Sequence, residues 1–150
     1  MRLPDSLIER LSKEVNCSTK PAPSDLVARL QERNADGDVL DYFRLYNFEA
    51  SVDCVCLDAA DANLQMMDDT CPNCEVWQHG FIPFGRDLEG RCYCFNQNDR
   101  DSNGNSKIVR LSYPFGDDTS VEQISSASEF IAPDFATFLS LYLDSKVDSM

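Results

Sequence analysis

The chain has 150 residues, 43% of them hydrophobic, and its 26 acidic and 13 basic residues give a net charge of −13. This length is typical of one domain with a substantial core, and the composition excludes a low-complexity or disordered chain. The charge argues against binding to nucleic acid or to an anionic membrane, because both need Lys and Arg, and it favours a basic partner.

Two helices and a strand are predicted in the first third of the chain. Apolar residues four positions apart predict a helix from Leu3 to about Val15. After a proline-rich break, Ser24 is a suitable N-cap for a second helix, which is expected to end near Asn34 to Gly37. The aromatic and β-branched residues from Val39 to Phe48 alternate and predict a strand.

The remainder of the chain predicts mainly strands and a closing helix. Four segments have the composition of strands: 51–57, 77–84, 91–96 and 107–113. Helical spacing predicts a short helix over 57–67 and a loop over 68–73, and the polar residues 97–106 predict a hairpin loop. An apolar stripe predicts the last helix, from Asp134 to about Ser145. The pattern predicts an α+β fold, a single domain whose mostly antiparallel central sheet is flanked by N-terminal and C-terminal helices.

No secretion signal and no apolar run long enough to span a bilayer are recognisable in the sequence. We therefore expect a cytoplasmic protein, either a monomer or a weak dimer. Its seven cysteines, an odd number, are then expected to be thiols or metal ligands and not disulfides.

Two long stretches of the chain contain acids but no bases. One lies between Arg44 and Arg86, and the other lies between Arg110 and Lys146. If these stretches meet on one face, that face is strongly negative, which raises the rate of association with basic proteins and weakens as salt is added.

Catalysis has little support in the sequence. The chain has one histidine, His79, and no nucleophile elbow, phosphate-binding glycine loop or His-Glu-x-x-His motif. Carboxylates are numerous, but general acid–base catalysis needs two of them in defined environments. We expect a protein that is not an enzyme and that has no catalytic residue.

The cysteine spacing raises the possibility of a zinc site, although we expect no other cofactor. Cys71 and Cys74 are separated by two residues, the spacing that lets two thiolates bind one Zn²⁺ from a tight turn. A tetrahedral site needs two more ligands. Cys54 and Cys56 are the first candidates, with Cys92, Cys94 and His79 as alternatives. Two cysteines that are two positions apart on a strand face the same side of it. Each of these pairs is therefore alternatively explained as small core residues.

The central and closing segments resemble a known family. The run His79–Asn96, HGFIPFGRDLEGRCYCFN, is similar to the central strand-turn-strand signature of the SUKH superfamily, which includes fungal cell-wall regulators of the Smi/Knr type and bacterial toxin-immunity proteins. Ile131–Leu139 resembles its closing helix. Pro23 before Leu26–Leu30, followed by Asn34–Gly37, is similar to its opening helix and Asn-Gly stop.

The resemblance implies one SUKH-like domain over residues 1–150, in which the sheet forms a binding surface for another protein. A Cys-rich segment around 50–76 has no counterpart in the family pattern and is expected to be an insertion. Many bacterial members protect the producing cell from secreted toxins, often nucleases or deaminases. The resemblance therefore predicts an immunity protein that binds a basic toxin domain, or alternatively a regulatory scaffold with an endogenous partner or a zinc-stabilised module.

The contact surface for such a partner is predicted to combine aromatic anchors with an acidic rim. Trp77 and Tyr93 are the anchors if they are exposed, since large aromatic side chains dominate binding energies at interfaces. Either ring is alternatively a plain core residue. The rim is predicted to consist of four aspartates: Asp68, Asp69, Asp117 and Asp118.

Overall fold

A six-stranded antiparallel sheet organises the chain in the computed structural model, which describes residues 2–52, 55–57, 75–112 and 119–144. The strands lie side by side in chain order: β1 (Ala50–Val52), β2 (Val55–Leu57), β3 (Phe81–Asp87), β4 (Cys92–Arg100), β5 (Ser106–Leu111) and β6 (Glu129–Ala132). Every neighbouring pair is antiparallel. The predicted α+β class with an antiparallel central sheet is confirmed.

Six helices accompany the sheet in the described part of the chain. They are α1 (Asp5–Val15), α2 (Ser24–Glu32), α3 (Gly37–Leu45), the one-turn α4 (Glu75–Gln78), α5 (Val121–Ala127) and α6 (Phe135–Leu143). The predictions of α1, α2 and α6 are confirmed to within a few residues, because one side of each helix carries an apolar stripe that is buried. The prediction that Ser24 is the N-cap of α2 is wrong: Ser24 is the first helical residue, Pro23 precedes it, and no side chain of the described residues caps this helix.

An aromatic core joins the helices to one face of the sheet. Tyr42 of α3 lies 5.4 Å from Phe95 of β4, measured between ring centroids, and 4.6 Å from Phe135 of α6. Phe84 of β3 contacts both Phe95 and Phe138, at 4.8 and 5.1 Å. All five rings are buried. These close, mostly tilted or edge-on contacts fix how α3 and α6 lie on the sheet.

The predicted strand over Val39–Phe48 is wrong, because this segment forms α3. Its alternation of aromatic and polar residues coincides with a helical stripe, in which Val39, Leu40 and Phe43 are buried together with Tyr42. Tertiary packing of this stripe overrides the strand preference of the individual residues. Asn47, with a φ of 45°, follows the helix in the left-handed conformation that asparagine tolerates.

The strand predictions hold in part. The segment 51–57 is a hairpin of two short strands, and Trp77 lies in α4, so that β3 begins only at Phe81. The predicted loop over 97–106 is shorter, because β4 extends to Arg100 and a turn of five residues leads into β5. The predicted helix over 57–67 and the loop over 68–73 lie outside the described residues, apart from residue 57 in β2.

A buried carboxylate ties α3 to the β4–β5 hairpin. Asp38 accepts hydrogen bonds from the backbone N–H and the hydroxyl of Ser106, both at 2.8 Å, and from Nε of Arg100 at 3.2 Å. Arg100 also forms an ion pair with Asp36, the residue before the first turn of α3. The start of α3 is therefore fixed to the sheet by charge-assisted hydrogen bonds.

Candidate protein-binding surface

Trp77 and Tyr93 are core residues, which corrects the expectation that they form exposed anchors. Trp77 is 1% exposed and Tyr93 is fully buried. The ring of Tyr93 lies 5.6 Å from Phe138, because α6 covers the face of β4 that carries it. Neither ring can contact a partner without opening the core.

The predicted acidic rim lies outside the described residues, since Asp68, Asp69, Asp117 and Asp118 all fall in the gaps at 58–74 and 113–118. Parts of the two base-free stretches are described. The first contributes β1 and β2 at one edge of the sheet, and the second contributes β6 at the other edge. The strands of the two stretches therefore do not adjoin.

The surface has an excess of negative charge because its ion pairs use basic side chains and leave carboxylates over. At least seven basic side chains form ion pairs with carboxylates: Arg10, Lys13, Lys20, Arg91, Arg100, Lys107 and Arg110. Because acids outnumber bases two to one, carboxylates are left over. Four exposed acids make no ion pair with another described residue: Asp5, Asp25, Glu32 and Glu122. The uncompensated charge available to a partner is therefore negative.

Two ion pairs lie at one end of the sheet. Arg110 of β5, buried beside the Tyr93 ring, donates to Glu129 of β6 at 2.7 Å. Arg91 donates from Nε to the buried Asp87 at 2.7 Å. The hydrogen bond from Arg110 lowers the pKa of Glu129 below its usual range. Glu129 therefore stays ionised at lower pH than an unpaired glutamate, and its ion pair with Arg110 holds the start of β6 against β5.

Four of the seven cysteines lie in the described residues, and all of these except Cys56 are buried. Cys92 and Cys94 lie two apart on β4 and are buried, so this pair matches the core interpretation, and burial raises the pKa of the Cys94 thiol. Cys56 is partly exposed and lies 3.4 Å from the Ser51 hydroxyl. Cys54, Cys71 and Cys74 lie outside the described residues. No three potential metal ligands gather within the described part, and the zinc site stays a prediction.

A groove beside His79 is lined by side chains that connect neighbouring segments of the chain. It measures about 380 Å³, and His79, Gln97 and Asn98 lie along it. Two of these side chains bond to neighbouring segments: Gln97 donates to the carbonyl of Asn34 at 2.7 Å, and Asn98 donates to the backbone carbonyl of His79. These bonds give the side chains a structural role in the connections around the sheet.

An exposed aromatic residue on β6 was not anticipated from the sequence. Phe130 is 56% exposed, whereas most large apolar side chains of the described residues are buried. Leu45 and Leu88 are the two other exposed large apolar residues in this part of the chain. Unlike them, Phe130 lies on an edge strand, beside a groove of about 400 Å³. Pro133, just beyond β6, was the available signal, because proline is confined to sheet edges and strand ends.

None of the described helices is long and apolar enough to cross a membrane. A family model described as the SMI1/KNR4 family (SUKH-1) matches residues 1–141 of the chain. No curated protein matches it at a significant level of similarity.

Proposed function

The chain belongs to the SMI1/KNR4 family (SUKH-1), and from this membership we propose that it is a non-enzymatic immunity protein that neutralises a basic toxin by stoichiometric binding. Membership is consistent with protein binding in either an immunity or a regulatory role. The specific role as an inhibitor is proposed from the charge of the surface.

The observation that supports the proposal is the negative charge that is left on the surface after basic side chains have formed ion pairs. The chain has a net charge of −13, and at least seven of its basic side chains are already bound to carboxylates. Nucleases and nucleic-acid deaminases bind a polyanion and therefore present a basic surface. An acidic inhibitor gains both faster association and complementarity on such a surface.

Co-expression provides the direct test. Where the gene lies beside one for a secreted protein, the C-terminal domain of that protein is expressed in a sensitive host, alone and together with this protein. We expect survival only when both are present. If the toxin domain kills cells equally well in both cases, the immunity role is refuted.

The charge argument is tested separately by the association rate. Electrostatic steering predicts that the rate constant for binding the toxin domain falls by about tenfold or more between roughly 10 mM and 150 mM salt. A rate constant that does not change with salt contradicts steering, even if the complex is tight.

A regulatory scaffold with an endogenous partner is the second candidate, because the same family includes that role. The gene's surroundings separate the two candidates. A neighbouring gene for a large secreted protein with a nuclease-like C-terminal domain supports immunity, and a toxin-free setting, together with an endogenous complex that is retained after purification, supports the regulatory role.

A further inference from the structure

One edge of the sheet is open in the described part of the structure. β6 is hydrogen-bonded to β5 on one side, and no described strand lies along its other side. At the opposite edge β1 has only three residues, and α1 packs beside it. An open strand presents unpaired backbone N–H and C=O groups to which another chain can bind.

The side chains on β6 favour the binding of an extended segment. Phe130 pairs with Val109 across the β5–β6 ladder, so the two side chains lie on the same face of the sheet. Val109 is buried and Phe130 is 56% exposed. Together they line the groove of about 400 Å³, which lies on the face of the sheet over β4 and β5, with polar walls formed by Lys107, Asp99, Ser125 and Ser128. The open edge is on the other side of β6. We call this open edge, together with Phe130 and the adjoining groove, the β6 groove.

The charges around the β6 groove favour a basic occupant. The cation that lines it is already neutralised, since Lys107 lies 3.0 Å from Asp99. Arg110 of the adjacent strand β5 is likewise paired, 2.7 Å from Glu129. Residues 119–144 contain four acids and no Lys or Arg. Glu122, on the helix that leads directly into β6, is exposed and makes no ion pair with another described residue.

We propose that the β6 groove binds an extended segment of a basic protein, which adds to the sheet as a further strand and packs an apolar side chain against Phe130. This mode of recognition takes affinity from main-chain hydrogen bonds and specificity from alternate side chains. It rests on the proposed function, because the toxin domain supplies the segment. A second copy of this chain is disfavoured as the occupant, since each copy carries a charge of −13.

The size of the edge sets the expected strength of binding. β6 has four residues, so an isolated peptide makes few main-chain bonds and binds weakly, with a Kd on the order of 100 μM. A whole toxin domain adds surface outside the β6 groove and binds more tightly.

The test uses the full chain, labelled with ¹⁵N, and a synthetic peptide of about nine residues in which lysine alternates with valine or phenylalanine. Titration followed by NMR is expected to shift the amide signals of β6 and of Lys107 to Val109. A matched peptide with glutamate in place of lysine is expected to bind at least about tenfold more weakly. If the basic peptide leaves β6 unchanged, or if both peptides bind equally, the proposal is overturned.

Two pairs of variants locate the site. Phe130→Ala is expected to weaken peptide binding about tenfold, whereas Leu88→Ala, which truncates an apolar residue that is 79% exposed on the β3–β4 turn, leaves binding unchanged. Glu122→Lys weakens binding at low salt, whereas Asp5→Lys, on α1 beside the opposite edge of the sheet, does so by a smaller factor. Equal effects within either pair contradict binding at the β6 groove.

Sedimentation of the protein alone tests the competing occupant. A dimer that Phe130→Ala abolishes shows that a second copy occupies the edge, and overturns the proposal. The toxin assay keeps the two proposals separate. If Phe130→Ala protects cells as well as the wild type, only the β6 groove is refuted; if the basic peptide binds at β6 but no toxin domain is neutralised, only the immunity role is refuted.

Discussion

Replacing Asp38 with alanine tests the buried connection between α3 and the β4–β5 hairpin. The Asp38 carboxylate is 7% exposed and accepts three hydrogen bonds, two from Ser106 and one from Arg100. Removing it leaves the buried N–H of Ser106 without its acceptor, and it leaves the guanidinium of Arg100 with one carboxylate fewer.

The expected cost follows from these contacts. A hydrogen bond to a charged group contributes about 1.5–3 kcal/mol, and a buried donor that loses its partner costs about 1–3 kcal/mol. Because the three bonds share one carboxylate and are not additive, we expect Asp38→Ala to lower the free energy of unfolding by about 3 kcal/mol. Ser106→Ala keeps the backbone bond to Asp38 and is expected to cost about 1 kcal/mol.

Urea denaturation followed by the fluorescence of Trp77 measures both losses, because this is the only tryptophan in the chain and it is buried. Thermal denaturation is expected to show a Tm lowered by about 6–12 °C for Asp38→Ala. An unchanged m-value confirms that both variants unfold from a similarly compact state. A loss below about 0.5 kcal/mol for Asp38→Ala, which is typical of an exposed carboxylate, refutes the role assigned to this network.

Three further predictions concern the packing and the sheet end. Tyr142→Phe is expected to change stability by less than about 1 kcal/mol in thermal denaturation, because the buried Tyr142 hydroxyl approaches the backbone of Val52 without forming a hydrogen bond of good geometry; a loss of about 2 kcal/mol or more contradicts this. Gly85→Ala is expected to cost about 2 kcal/mol or more in urea denaturation, because a Cβ there lies 2.6 Å from the carbonyl oxygen of Cys56 in β2; an unchanged midpoint is the contrary result. Arg110 lowers the pKa of Glu129 in the folded state, so this group contributes stability above its ordinary pKa of about 4.3 and loses it as the pH falls through the folded value. The stability difference between wild type and Glu129→Gln is therefore expected to shrink on acidification below about pH 4, and a ¹³C NMR titration that gives Glu129 an ordinary or raised pKa contradicts the assignment.

The local signals in the sequence predict three of the six described helices and the class of the fold. Helices α1 and α6 follow from apolar stripes, which depend only on residues a few positions apart. Helix α5 was not predicted, although Ser120 and Gln123 form a capping box at its start, and that motif is readable from the sequence. The residues of helix α3 have a pattern that fits the two-residue period of a strand as well as the 3.6-residue period of a helix, so a strand is predicted there. The helix is favoured by contacts of Tyr42 with Phe95 and Phe135, which are distant in the sequence.

The candidate surface depends on strand order, which the sequence does not encode locally. Tyr93 and Phe130 are both aromatic residues on strands, yet α6 covers the first and the second lies on an open edge. Which strand forms an edge is set by non-local pairing, so burial of a single aromatic residue cannot be predicted from its neighbours. The charge excess, by contrast, is a property of composition and was available from the sequence.

An inhibition titration with purified components tests the central claim most directly. The C-terminal domain of a secreted nuclease or deaminase encoded beside the gene serves as the proposed toxin domain; it is assayed on nucleic acid at a fixed concentration well above the Kd, while this protein is added in steps. The account predicts that activity falls linearly and ends at one equivalent, since each bound copy blocks one toxin domain. Full activity at a tenfold excess of this protein, or complete inactivation far below one equivalent, contradicts inhibition by stoichiometric binding.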